Sequence, residues 1–143
     1  MLEAESSYSQ ISTTWGAAKL TDGIANQVGG CWCSGVNPGT QSFVYSFSGG
    51  QSATLTAAVL KNYGQQETFG QAAAYYSRNV EIWTSANGTD YTKATNATLA
   101  ASTNSVTLPL GSVGAKKVKL KILTGYQPDY WEFGEFEVYG TLP

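Results

Sequence analysis

Apolar side chains recur at every second position in at least six short segments of this 143-residue chain. Phe43, Tyr45 and Phe47 alternate with Val44 and Ser46; Leu55, Ala57 and Val59 alternate with Thr56 and Ala58. Val80 and Ile82 are interleaved with Glu81 and Trp83, and Val106 is followed by Leu108. Val118, Leu120 and Ile122 are separated by Lys119 and Lys121, with Lys117 before them, and Phe136 and Val138 lie between Glu135, Glu137 and Tyr139. A two-residue period is that of a strand with one buried face. Ser48-Gly49-Gly50-Gln51 and Ala86-Asn87-Gly88-Thr89 supply turns, the Asn-Gly pair being a strong hairpin signal. Only Gly16 to Leu20 is compatible with a helix, for about one turn. Many short antiparallel strands predict an all-β sandwich or barrel, and with no repeat, linker or charge block residues 1–143 read as a single domain.

Composition narrows the chemistry. Charged residues make up 13% of the chain, about half the usual share, and aromatics another 13%. There is no histidine, which excludes Ser-His-Asp triads, Cys-His pairs and His-ligated zinc within this chain. The net charge of −2 offers no general attraction to nucleic acid. No stretch approaches the roughly 20 apolar residues of a membrane span. Met1-Leu2-Glu3 lacks the basic and apolar regions of a signal peptide, so a secretion signal is expected to lie outside this chain. Cys31 and Cys33 are too few for a disulfide framework; a tight ring and two free thiols flanking an exposed Trp32 are both compatible with their spacing.

Three irregular stretches carry aromatics: Gly23 to Gly39 with Trp32, the long connection from Tyr63 to Tyr76, and Gly125 to Trp131. Aromatic-bearing loops on a sandwich suit a ligand-binding rim. A sugar site joins an aromatic platform, stacked on the apolar face of a pyranose, to a few planar polar groups that recognise hydroxyls. The platform candidates are Trp32, Tyr63, Tyr75, Tyr76, Tyr126, Tyr130 and Trp131; the polar candidates are Asn62, Gln65, Gln66, Gln71 and Arg78. Trp15, Trp83, Phe43, Phe47, Phe133 and Phe136 sit in strand patterns and are expected to be core or packing residues.

Four segments in order carry a family resemblance: Ala18 to Gly23, Asn79 to Tyr91, Ala115 to Ile122 and Trp131 to Gly140. Together they resemble the coagulation factor V/VIII C-type (discoidin-like) domains and, within them, the family 32 carbohydrate-binding modules. The resemblance covers nearly the whole chain. It implies a jelly-roll β-sandwich of the galactose-binding-domain-like class that binds sugars through loops at one end, without catalysis and with a structural calcium. The metal candidates it implies are the side chains of Asp22 and Glu135 and carbonyls near Lys19, Ile24 and Asn26. Calcium takes about 6–8 oxygens, and an Asp-Gly turn offers a carboxylate and carbonyls together. Ile24 and Gln27 stand where the family often has Asp and Thr. Galactose-binding relatives place a loop His and an Arg beside the aromatic; with no His, and with Arg78 directly before a strand, that signature is not carried over.

Lys117, Lys119 and Lys121, with Lys116 adjacent, form a one-faced stripe. It reads either as a surface for an anionic polysaccharide such as a polyuronate or, more simply, as a solvent-facing strand guarded by charge. Glu132, Glu135 and Glu137 lie in one short segment, whereas a glycosidase needs two carboxyls about 5–9 Å apart across a cleft. Asn87-Gly-Thr89 and Asn96-Ala-Thr98 match the glycosylation sequon. The expected function is non-catalytic binding of a glycan or polysaccharide, as an extracellular or secreted module of a larger enzyme or adhesin. The alternative on the same fold is a discoidin-type adhesion or phospholipid-binding domain, for which Phe69 is the clear apolar spike.

Overall fold

The computed structural model describes residues 1–24, 30–64 and 75–143. Two 3₁₀ turns, Thr13–Trp15 and Ala17–Thr21, precede β1 (Trp32–Cys33), β2 (Gln41–Ser46), β3 (Ala53–Asn62), β4 (Asn79–Ser85), β5 (Thr92–Thr98), β6 (Asn104–Ala115), β7 (Lys117–Ile122), β8 (Glu132–Phe133) and β9 (Glu135–Thr141). A four-stranded sheet in the order β2-β7-β4-β5 packs on a three-stranded sheet in the order β6-β3-β9, with β1 and β8 as a small third pair. Every pairing between these strands is antiparallel, and the result is a β-sandwich, one of the two architectures that the period-two segments predict.

Phe43, Leu55, Leu60, Ile82, Leu120, Ile122 and Phe133 fill the space between the sheets, each at most 2% exposed. One strand departs from the simple alternation. A register shift between Leu55 and Ala57 turns Ala58 and Leu60 into the core and leaves Ala57 and Val59 half-buried. An extra residue at such a bulge exchanges the two faces beyond it. Two features went unseen in the alternation: the polar β5, and the length of β6, which contains Pro109. Proline is tolerated there because β6 is an edge strand. In the four-stranded sheet, edge strand β2 is covered by the N-terminal segment through bridges Leu2↔Tyr45 and Ser7↔Ser42.

Registers show which connections share an end. Gln41 pairs with Ile122, Ile122 with Val80, and Val80 with Ala97. On the other sheet Asn62 pairs with Asn104, and Lys61 with Glu135. The segments 34–40, 62–64, 75–78, 99–103 and 123–134 therefore meet at one end of the sandwich.

Candidate functional site

This end is held together by backbone carbonyls and buried polar side chains. Asn62, fully buried, donates from Nδ2 to the carbonyls of Ser77 (2.9 Å) and Ala100 (3.2 Å), joining the two sheets. The Tyr75–Arg78 segment is pinned from both sides: Tyr126 N–H donates to Tyr76 O at 3.0 Å, Arg78 N–H to Thr124 O at 2.9 Å, and Leu99 N–H to Arg78 O at 2.7 Å. Ser34 brackets Trp131, giving its N–H to Trp131 O at 2.8 Å and accepting the Trp131 N–H on Oγ at 2.9 Å. The Trp131 indole donates to Gln127 O and lies so close to Gly125 that a Cβ there would collide with its ring. A glycine is required at 125 for that approach.

The aromatics predicted for the rim separate in this frame. Trp32 is a core residue, fully buried, with its Nε1 donating to Ser9 O at 3.0 Å and its ring set edge-on to Phe43 at 5.1 Å between centroids. The expectation of an exposed Trp32 is corrected accordingly, because β1 pairs with β8 and folds under the loops instead of tipping them. Tyr75, Tyr76 and Trp131 are also more than nine-tenths buried and form the floor. Half-exposed above them are Tyr63, Tyr126 and Tyr130, with Arg78 exposed. The Arg78 guanidinium lies 5.4 Å from the Tyr126 ring centre, and the Tyr126 hydroxyl donates to Leu99 O at 2.6 Å. Tyr130 meets Tyr75 edge-on at 5.4 Å. Asn62, expected to recognise hydroxyls, is fully buried and commits its amide nitrogen to the Ser77 and Ala100 carbonyls. Gln65, Gln66, Phe69 and Gln71 lie outside the described residues. Ser34, Leu99 and Thr103, which accepts or donates to Tyr76 Oη at 3.0 Å, carried no signal in the sequence, since their role depends on distant partners.

The two carboxylates of the expected metal site do come together. Asp22 ends the second 3₁₀ turn and accepts the Ile24 N–H on Oδ1 at 2.9 Å, while Gly23 takes φ +81°. Glu135, at the start of β9, is 2% exposed and touches Asp22. Burial, and secondarily the Asp22 carboxylate, push Glu135 up to about 7, against the opposing backbone hydrogen bond from Gly23. Its Oε2 is buried with no hydrogen-bond partner. A buried oxygen left over beside a second carboxylate fits a cation. No group of three or more His, Cys, Asp or Glu side chains forms a metal cluster among the described residues, so backbone carbonyls would complete the shell. Lys19 and Ile24 are placed beside Asp22 in the chain, whereas Asn26 lies outside the described residues.

Cys31 and Cys33 are both buried and form no disulfide with each other, which removes the ring alternative. The Cys31 thiol donates to Glu132 Oε2 at 3.2 Å, and burial, with Glu132 adding to it, pushes Cys33 up to about 12. At neutral pH Cys33 is therefore held as the thiol and not the thiolate.

A family model described as F5/8 type C domain matches residues 3–136. The chain belongs to this family. Among solved structures, the Clostridium perfringens module CpGH89CBM32-5, in complex with GalNAc-β-1,3-galactose, superposes with a TM-score of 0.75 at 21% identity, covering 97% of this chain and 95% of that one. The family 32 carbohydrate-binding module of Streptococcus pneumoniae EndoD gives 0.75 at 11% identity over 99% and 95%. Chitosan-binding module 2 from the chitosanase/glucanase of Paenibacillus sp. IK-5, in complex with chitotriose, gives 0.71 at 18% over 92% of each chain. No curated protein sequence matches this one significantly. The F5/8 type C chain thus has the fold of carbohydrate-binding modules. Among the described residues, no helix is long and apolar enough to cross a membrane.

Proposed function

We propose that this F5/8 type C domain is a non-catalytic glycan-binding module of an extracellular protein, holding an attached enzyme or adhesin on its substrate. The observation that carries the reading is the pairing of exposed Arg78 with half-exposed Tyr126 at the loop end, flanked by Tyr130 over the Tyr75 floor. A phenol ring can stack on the C–H face of a pyranose, and a guanidinium presents several donors to its hydroxyls. The relatives found with sugars, GalNAc-β-1,3-galactose in one and chitotriose in another, support a glycan over a lipid. The site is shallow, so each contact is weak and firm attachment comes from multivalency. Catalysis has no support in the arrangement of carboxylates. Glu132 is fully buried against Cys31, and Glu135 faces the Asp22 turn.

A structural calcium at Asp22 and Glu135 completes the reading. Its role would be to neutralise the two touching carboxylates and fix the turn that leads into the loop end. Thermal melts with calcium and with chelator test it: a bound ion raises the midpoint by mass action, and an unchanged midpoint counts against the site.

A glycan array followed by affinity gels tests the binding. Tyr126→Ala and Arg78→Ala are expected to lower retention about tenfold, the loss of about 1.4 kcal/mol, with the fold intact. Unchanged retention in both, or binding to anionic liposomes with no glycan bound, overturns the reading in favour of a discoidin-type lipid-binding domain.

A further inference from the structure

The outer face of the four-stranded sheet carries an ordered set of cations and aromatics that glycan binding at the rim does not use. Lys117, Lys119 and Lys121 point out from β7; Glu81 and Trp83 point out from β4, and Lys93 lies across from Trp83 on β5. Tyr91 and Glu5 close the group from the hairpin and the N-terminal segment. Strict alternation would pair Lys121 with its cross-strand partner Glu81. Instead Glu81 Oε1 accepts the Trp83 indole N–H at 3.0 Å and Oε2 lies 3.7 Å from Lys93. Lys121 is left resting on the Trp83 ring, its ammonium 4.7 Å from the ring centre. The same arrangement recurs beside it. Glu5 accepts the Tyr91 hydroxyl at 2.7 Å and pairs with Lys117 at 3.0 Å, while the Lys119 ammonium sits 3.9 Å over the Tyr91 ring.

Each carboxylate therefore takes the polar tip of an aromatic and one lysine, and each ring holds the next lysine in place. Neither Lys119 nor Lys121 has a carboxylate within ion-pair distance among the described residues. The two lysines are two strand positions apart, about 7 Å between their backbone positions. Their aromatic supports fix them at a cost in side-chain freedom already met in the folded protein. Lys119 is held below the usual lysine range, first by burial and then by the neighbouring Lys121, with Glu5 acting in the opposite direction. Half of the chain's eight cationic side chains lie on this face, opposed by Glu5, Glu81 and Glu3, whose carboxylate takes the Ser46 hydroxyl at the margin. The other described residues carry four cations and six carboxylates.

We propose that this face is a second binding surface, for an anionic polysaccharide whose repeated carboxylate or sulfate groups bridge Lys119 and Lys121. Polymer suits the geometry better than lipid, since the large exposed apolar side chains among the described residues, such as Ile24, Val36 and Leu142, lie elsewhere and the aromatics of the face, Trp83 and Tyr91, are engaged beneath lysines. The surface is independent of the rim, so it stands or falls separately from the glycan reading above.

Affinity electrophoresis in gels containing polygalacturonate, heparin or fully methyl-esterified pectin tests it. The protein is expected to be retarded by polygalacturonate, by heparin or by both, which assigns the anionic group, and to pass the neutral ester freely. Retardation should fade as salt rises from 50 to 500 mM. Lys119→Gln/Lys121→Gln is expected to weaken it about tenfold, as loss of two partly exposed charge contacts implies. Lys119→Arg/Lys121→Arg should keep it, as should Tyr126→Ala at the rim and Lys61→Gln, which removes one charge from the opposite sheet. Thermal melts of each variant confirm folding. Retardation by neither anionic gel, equal retardation of the Gln double variant and the parent, equal loss in Lys61→Gln, or binding confined to phosphatidylserine vesicles overturns the proposal.

Discussion

Two aromatic regions of this F5/8 type C domain use the same side chains in opposite ways. At the loop end, aromatic tips are tied to the backbone: Tyr126 to Leu99 O, Trp131 to Gln127 O. On the sheet face they are tied to carboxylates, Tyr91 to Glu5 and Trp83 to Glu81. A tip on a carbonyl anchors irregular chain and, at Tyr126, leaves part of the ring open, which suits stacking on a neutral sugar. A tip on a carboxylate neutralises one charge locally and turns the ring into a support for a lysine. Irregular loops have unpaired carbonyls to offer, whereas a regular strand has used its carbonyls in the ladder. The difference in ring use follows from the backbone beneath.

The comparison breaks most sharply at the floor of the rim. Trp32→Ala removes a fully buried indole and should cost about 3–5 kcal/mol in denaturant unfolding, with any loss of glycan binding tracking the loss of fold. Gly125→Ala forces the Trp131 ring aside and should cost about 1–3 kcal/mol. It is expected to weaken binding at the loop end while leaving electrophoresis in anionic gels unaltered; equal damage to both would mean the regions are coupled.

The Asp22–Glu135 pair gives a pH test. In the folded protein Glu135 is raised from 4.5 to about 7, so it holds a proton that the unfolded chain has already released. Without metal, that contribution to stability is present below about 4.5 and is lost as pH rises through about 7. Chelated protein should therefore melt progressively lower across this window, Glu135→Gln should flatten the decline, and the same substitution should abolish any stabilisation by calcium. A chelated melt independent of pH in both proteins would sink this account. The smallest effect is expected for Trp83→Phe, which deletes the donor to Glu81 and keeps a ring under Lys121. Stability should change by about 0.5 kcal/mol or less. Glu81 is then free to pair with Lys121, so a modest fall in retardation by anionic gels is the sharper readout.

The alternation of Phe43 with Tyr45, of Val80 with Ile82 and of Val118 with Leu120 and Ile122 was enough to identify strands, because a half-buried strand must repeat every two residues. The Asp22-Gly23 turn and Glu135 could be named as a pair through the family resemblance, and the lysine stripe was plain from spacing. Exposure of the individual aromatics was not legible. Trp32 sits between two cysteines in an irregular stretch, and nothing local distinguishes it from Tyr126; pairing of β1 with β8, about a hundred residues away, buries one and not the other. The bulge that exchanges the faces of β3 and the diversion of Glu81 from Lys121 to Trp83 and Lys93 are likewise choices among local alternatives of similar energy. Local sequence determined which segments are strands and which carry chemistry. Contacts between segments far apart in the chain decided which side chains reach solvent and which charges remain free, since burial and pairing belong to the packed arrangement and not to any one stretch.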